Sequence, residues 1–185
     1  MINLPLIASL AEPHWGDNWN FRAYLQLEVD PVEIDDAAAE IYADVAAKID
    51  CTKCGNCCRE VYPFLSSADE SRLVEGLMNS GRAIPALQSE GGDERRTFCA
   101  KPCPMLEGDR CSVYEFRPDD CRNYPHLDRP DFLGGSVGFI ENYGTCPIVF
   151  HVYSRMKAKF SYDPSRDYVG DNDPELTHGS LYQNK

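Results

Sequence analysis

Apolar positions recur at steps of three and four from Asp35 onward: Ala38, Ile41, Tyr42, Val45, Ala46 and Ile49 share one face of a helix. Asp35 and Asp36 suit its positive N-terminal end, and the helix delivers the chain to Cys51. A second amphipathic helix is predicted where Ser67-Ala68-Asp69-Glu70 has the form of a capping box. Leu73, Val74, Leu77 and Met78 make its apolar stripe, and Gly81 ends it. A third follows Cys146-Pro147, with Val149, Val152, Tyr153, Met156 and Phe160 in phase, although Ile148 to Val152 alone would pass for a strand.

Elsewhere the pattern is weaker. Trp15, Trp19, Phe21 and Tyr24 lie in residues 1–34 without clear periodicity, and Arg22 to Val29 fits a strand or a helical turn. This stretch is expected to be an irregular N-terminal extension whose aromatics cover a small core. Residues 82–95 and 126–136, with their prolines and glycines, are predicted as loops. Arg96 to Cys99 and Val137 to Ile140 are candidate short strands, and Val113 to Phe116 is a helical turn before Pro118. The tail from Ser161, carrying Asp163, Asp167, Asp171, Asp173 and Glu175, is expected to be a solvated acidic extension. The expected organisation is an extension at 1–34, a single metal-binding domain at 35–160 and the tail at 161–185.

Nine cysteines change this picture. Four fall within Cys51-Thr52-Lys53-Cys54-Gly55-Asn56-Cys57-Cys58, and Cys99, Cys103, Cys111, Cys121 and Cys146 follow. Thiols at i, i+3 and i+6, loosened by Gly55, can aim several sulfurs at one point, as a metal ion or cluster requires. The fold class predicted is therefore a small, mainly α, loop-rich domain stabilised by metal, with at most a short β-sheet.

Setting Cys99 aside, eight sulfurs complete two four-sulfur sites, or one site with spare thiols. The CxxCxxC triplet, with Cys103 and Cys146 each preceding proline, favours an iron-sulfur cluster. The adjacent Cys57-Cys58 pair departs from the ferredoxin run and keeps zinc as the alternative. Lys53, Arg59, Arg110, Arg117 and Arg122 stand beside the thiols in sequence and can offset thiolate charge. His126 and His151 are not needed as ligands where sulfur is so abundant.

Lys plus Arg number 18 against 30 Asp plus Glu, a formal charge of −12 that opposes nucleic acid and anionic membrane surfaces. A protein partner stays open. Met1 to Glu12 has no basic start and only a proline-broken apolar run, so no export signal is expected. The expected compartment is the cytoplasm, where clustered thiols bind metals more often than they form disulfides. A secreted disulfide scaffold is the alternative it displaces.

CTKCGNCCR at 51–59, YPFLSSADESRL at 62–73, CPML at 103–106, CSVYEFRPDDCRNYP at 111–125 and CP at 146–147 resemble a cysteine-cluster family with a CxxCxxCC signature, described as zinc- or iron-chelating. The resemblance covers residues 51 to about 147. It implies metal binding, with Cys51, Cys54, Cys57, Cys58, Cys103, Cys111, Cys121 and Cys146 as ligands. A similar cluster in flagellin lysine methylases points toward iron-sulfur.

Two functions follow. One is an iron-sulfur protein in electron transfer, sensing or an accessory role; the other is a zinc-stapled assembly module without redox chemistry. An independent enzyme finds no support, since there is no phosphate loop, GxSxG elbow or HExxH helix. Asp119-Asp120 is more simply a helix start than an acid-base pair.

Overall fold

The computed structural model describes residues 4–79, 81–89 and 96–169. Its helices are α1 (Leu4–Ala11), α2 (Trp15–Glu28), α3 (Pro31–Ala46), α4 (Asn56–Glu60), α5 (Ser67–Asn79), α6 (Asp119–Asn123), α7 (Phe132–Asn142) and α8 (Pro147–Lys159). The strands β1 (Leu87–Ser89), β2 (Arg96–Phe98), β3 (Leu106–Glu107) and β4 (Arg110–Cys111) form two two-stranded sheets. The fold is mainly α with short β-sheets, as the sequence pattern predicts.

Two compact units emerge. One joins Pro5–Ala47 to the chain from Leu127 onward, and the other is built from Lys48–His126. The partition differs from an extension followed by one domain at 35–160. The stretch expected to be irregular is helical in α1 and α2. Of the acidic tail, residues 170–185 lie outside the described residues, as do 90–95 of the predicted loop at 82–95.

The first unit is a helical bundle. Asp30 caps α3 by accepting a hydrogen bond from the Val32 amide at 2.9 Å, and Pro31 takes the first helical position. The helix thus starts before Asp35 and buries Ile34, Ala37, Ala38, Ile41 and Val45. Asp35 instead accepts the amides of Asp131 and Phe132, both at 2.8 Å, and fixes the entry of α7. That helix replaces the predicted loop and strand at 132–140. Its glycines read as breakers, yet Asp131 caps it through the Gly134 amide at 3.0 Å and Phe132, Phe139 and Ile140 are buried. The aromatics of α2 serve this unit's core: Phe21 packs edge-on against Tyr153 and Tyr162.

The second unit has a smaller core of Leu65, Leu73, Leu77, Phe98, Met105 and Val113, with Cys103 and Cys111 packed against it. The capping box of α5 sits one residue earlier than predicted. The Ser66 hydroxyl accepts from the Asp69 amide at 3.2 Å, and the Asp69 carboxylate accepts from the Ser66 amide at 2.9 Å. Leu73 and Leu77 face inward, whereas Met78 is 72% exposed. β1 and β2 pair antiparallel with Leu87 opposite Phe98, and β3 and β4 pair with Leu106 opposite Cys111. Gly76 lets Phe116 lie against α5, because an added Cβ would stand 2.5 Å from its ring. Replacing Gly76 with Ala is expected to lower the unfolding free energy by about 1–3 kcal/mol, read by denaturant titration of the metal-loaded protein.

Candidate metal centre

The motif at 51–58 is folded locally. Asp50 accepts the Thr52 amide at 3.0 Å and starts a 3-10 turn at Cys51–Lys53. Gly55 then reverses the chain at φ +64°, and α4 carries Cys57 and Cys58. The second lobe docks directly onto it: the Cys103 amide donates to the Cys58 carbonyl at 2.7 Å. From there β4 brings Cys111, and α6 brings Cys121.

These segments converge. Cys51, Cys57, Cys58, Cys103, Cys111 and Cys121 all line one cavity of about 140 Å³. Val61, Pro63, Leu73, Phe98, Met105 and Val113 supply an apolar wall. Cys54, the middle of the triplet, is not on that lining, although its charge acts on Cys51. Cys99 is exposed and away from the cavity, and neither His126 nor His151 lines it. Cys146 is buried in the helical unit, where it caps α8. Among the described residues, which include every cysteine, there is no disulfide.

The electrostatics follow from crowding thiols in an apolar pocket. Burial pushes the Cys103 thiol up to about 11, with Cys58 and Cys111 adding to it. Burial raises Cys121 further, and Cys51 and Cys111 are raised for the same first reason. Cys58 goes the other way. A hydrogen bond from the Cys57 thiol, helped by the Arg59 charge, outweighs its burial and pulls it down to about 7.

Among the described residues no three Cys, His, Asp or Glu side chains already stand together in a closed ion-binding group. The thiols line the cavity openly, mostly protonated, and gripping a metal requires them to lose protons and turn inward. The donor set fits that task. Six soft sulfurs share the wall with two carboxylates, and both carboxylates are engaged elsewhere. Asp109 pairs with Arg59 at 2.5 Å, and Asp120 accepts the Phe64 amide at 3.0 Å and faces His126 at 3.2 Å.

The sequence profile of the CxxCxxCC family, described as "Putative zinc- or iron-chelating domain", matches residues 50–147. The chain belongs to this family. No curated protein and no solved structure matches it. The CxxCxxCC match spans the whole cysteine unit from Asp50 and runs on to Cys146-Pro147 in the helical unit.

The five basic residues expected beside the ligands of this CxxCxxCC protein take different places. Lys53 pairs with Asp50 at 3.1 Å and is 72% exposed, off the cavity. Arg59 bridges the lobes by donating to the Cys54 and Gly108 carbonyls at 3.4 and 2.9 Å. Arg117 and Arg122 both line the cavity. Arg110 does not.

The predicted box pairs Ser67 with Glu70 and gives Asp69 no role; in the structure Asp69 is the box partner of Ser66 and also anchors α6. Its Oδ1 accepts the Asp119 amide at 2.9 Å, and Arg72 bridges Asp69 to Asp119. Burial opposes its ionisation, but the Ser66 hydrogen bonds, the Asp119 amide and Arg72 outweigh this and hold the carboxyl below its usual range. Only the partners' folded positions reveal that second role. Asp69→Ala is expected to cost about 1–3 kcal/mol at neutral pH, because buried donors lose their acceptor. A carboxyl lowered by folding stabilises fully above its unfolded pKa of about 3.9. The gap between wild type and variant should therefore be constant near neutrality and close as pH falls below about 4. Urea unfolding at several pH values checks both points.

Proposed function

We propose that the cysteine unit binds an iron-sulfur cluster and serves electron transfer, sensing or an accessory role in a reducing cytoplasm. The observation that carries this reading is the size and lining of the cavity: six sulfurs around about 140 Å³, with an apolar wall on one side. A position for one water-sized sphere takes about 10–15 Å³, so the space suits a polyatomic centre better than one ion. Family membership supports metal binding at the coarser level of zinc or iron.

When bound, such a cluster supplies one-electron chemistry. The chain supplies the environment. Cys51, Cys57 and Cys58 from one segment and Cys103, Cys111 and Cys121 from the other would hold the centre, and Phe98, Leu73 and Met105 would keep water from one side.

The zinc-stapled module has one observation in its favour. Cys54 stands off the cavity, so the triplet does not present its three sulfurs in the ferredoxin manner. Anaerobic purification decides between them. Brown protein with iron, acid-labile sulfide and visible absorbance bleached by dithionite is expected; colourless protein with stoichiometric zinc would overturn the cluster and select the staple.

A further inference from the structure

Building on the metal-binding reading above, we propose that Arg117 is the charge-compensating positioning residue of the sulfur site, its guanidinium held over Tyr114 on the cavity wall it shares with Cys51 and Cys111. Three observations lead there. Arg117 lines the cavity together with both cysteines. Its guanidinium carbon lies 3.7 Å from the Tyr114 ring centre, and its Nη1 donates to the Tyr114 carbonyl at 2.6 Å. It has no carboxylate within ion-pair distance among the described residues, unlike Arg59, Arg72, Arg82 and Arg96.

The neighbouring groups explain why this cation stays available. Asp120 and Asp109, the carboxylates on the same cavity, are bonded to Phe64 with His126 and to Arg59 respectively. Arg122 is spent on the backbone, donating to the Arg117 carbonyl at 3.0 Å and to the Glu115 carbonyl, which braces the segment that carries Arg117. A half-buried guanidinium with no carboxylate partner is costly unless negative charge forms beside it. Metal binding creates those thiolates, and a planar cation with several N–H donors can serve two sulfurs at once.

The test compares wild type, Arg117→Gln and Arg117→Lys by cobalt(II) titration against a competing chelator, with the cobalt-thiolate charge-transfer band as readout. Arg117→Gln is expected to weaken cobalt affinity by about 10–100-fold, the usual cost of losing a group that supports metal ligands, while the band keeps its shape. Arg117→Lys, which keeps the charge, is expected to recover most of the loss. Equal affinity in Arg117→Gln and wild type overturns the proposal, and so does an equal loss in both variants, which marks a structural role. Wild type that binds neither cobalt nor zinc sinks the metal-binding reading itself, a separate outcome from either of these.

Discussion

Removing the metal is expected to unfold residues 48–126 while the helical unit keeps its structure. The reason is the size of the two cores. The cysteine unit buries six main apolar side chains, Leu65, Leu73, Leu77, Phe98, Met105 and Val113, and its strands are two or three residues long. A core of that kind rarely supplies more than about 3–5 kcal/mol in a chain of this length. Structural zinc, by comparison, contributes about 10–16 kcal/mol of apparent binding energy in small peptides. The helical unit has its own large buried side chains, Phe21, Ile34, Ile140, Tyr153 and Met156 among them. Hydrogen exchange on chelator-treated protein should show protection lost in α5 and β2 but kept in α3 and α8. Unchanged protection across 48–126 would refute a metal-dependent fold.

The second large effect belongs to Gly55. It adopts φ +64°, and a Cβ there would stand 2.6 Å from Arg59 Nη1, 2.8 Å from the Asp109 carbonyl oxygen and 3.1 Å from the Asp109 Cα. Arg59 can swing away, but the Asp109 backbone is part of the tight β3–β4 connection and cannot yield cheaply. The left-handed backbone and the overpacking together are expected to cost about 2–5 kcal/mol in Gly55→Ala. Gly108 is the control. It has a similar φ of +62° but nothing within 4 Å of an added Cβ, so Gly108→Ala should cost only about 1–2 kcal/mol. Metal content and thermal melting of the two variants decide the matter; equal effects would show that the Gly55 approach is unimportant.

Parts of this fold are legible in the sequence because they are local. α3, α5 and α8 announce themselves through apolar residues three and four apart, and the second lobe's cysteines follow the first in a recognisable order. α2 and α7 are hidden for opposite reasons. In α2 the aromatics are large enough to be buried from several directions and blur the stripe, while in α7 Gly134 and Gly135 imitate a loop that Asp35 and Asp131 cap into a helix. The return of the chain at Leu127 to pack with α2 and α3 is a long-range event that no window of sequence reports. The same limit applies at the site. Cysteine spacing marks the donors, but that Cys54 stands aside, that Cys58 adjoins the thiols of both lobes, and that Asp69 holds the helix bearing Cys121 depend on folded neighbours.

The most direct test is cysteine footprinting of the protein before and after metal loading, with each thiol scored by mass spectrometry. Concerted protection of Cys51, Cys57, Cys58, Cys103, Cys111 and Cys121, with Cys99 still alkylated, is the predicted result. Protection confined to residues 51–58, or S–S linkages in place of bound metal, would contradict a centre shared by the two segments.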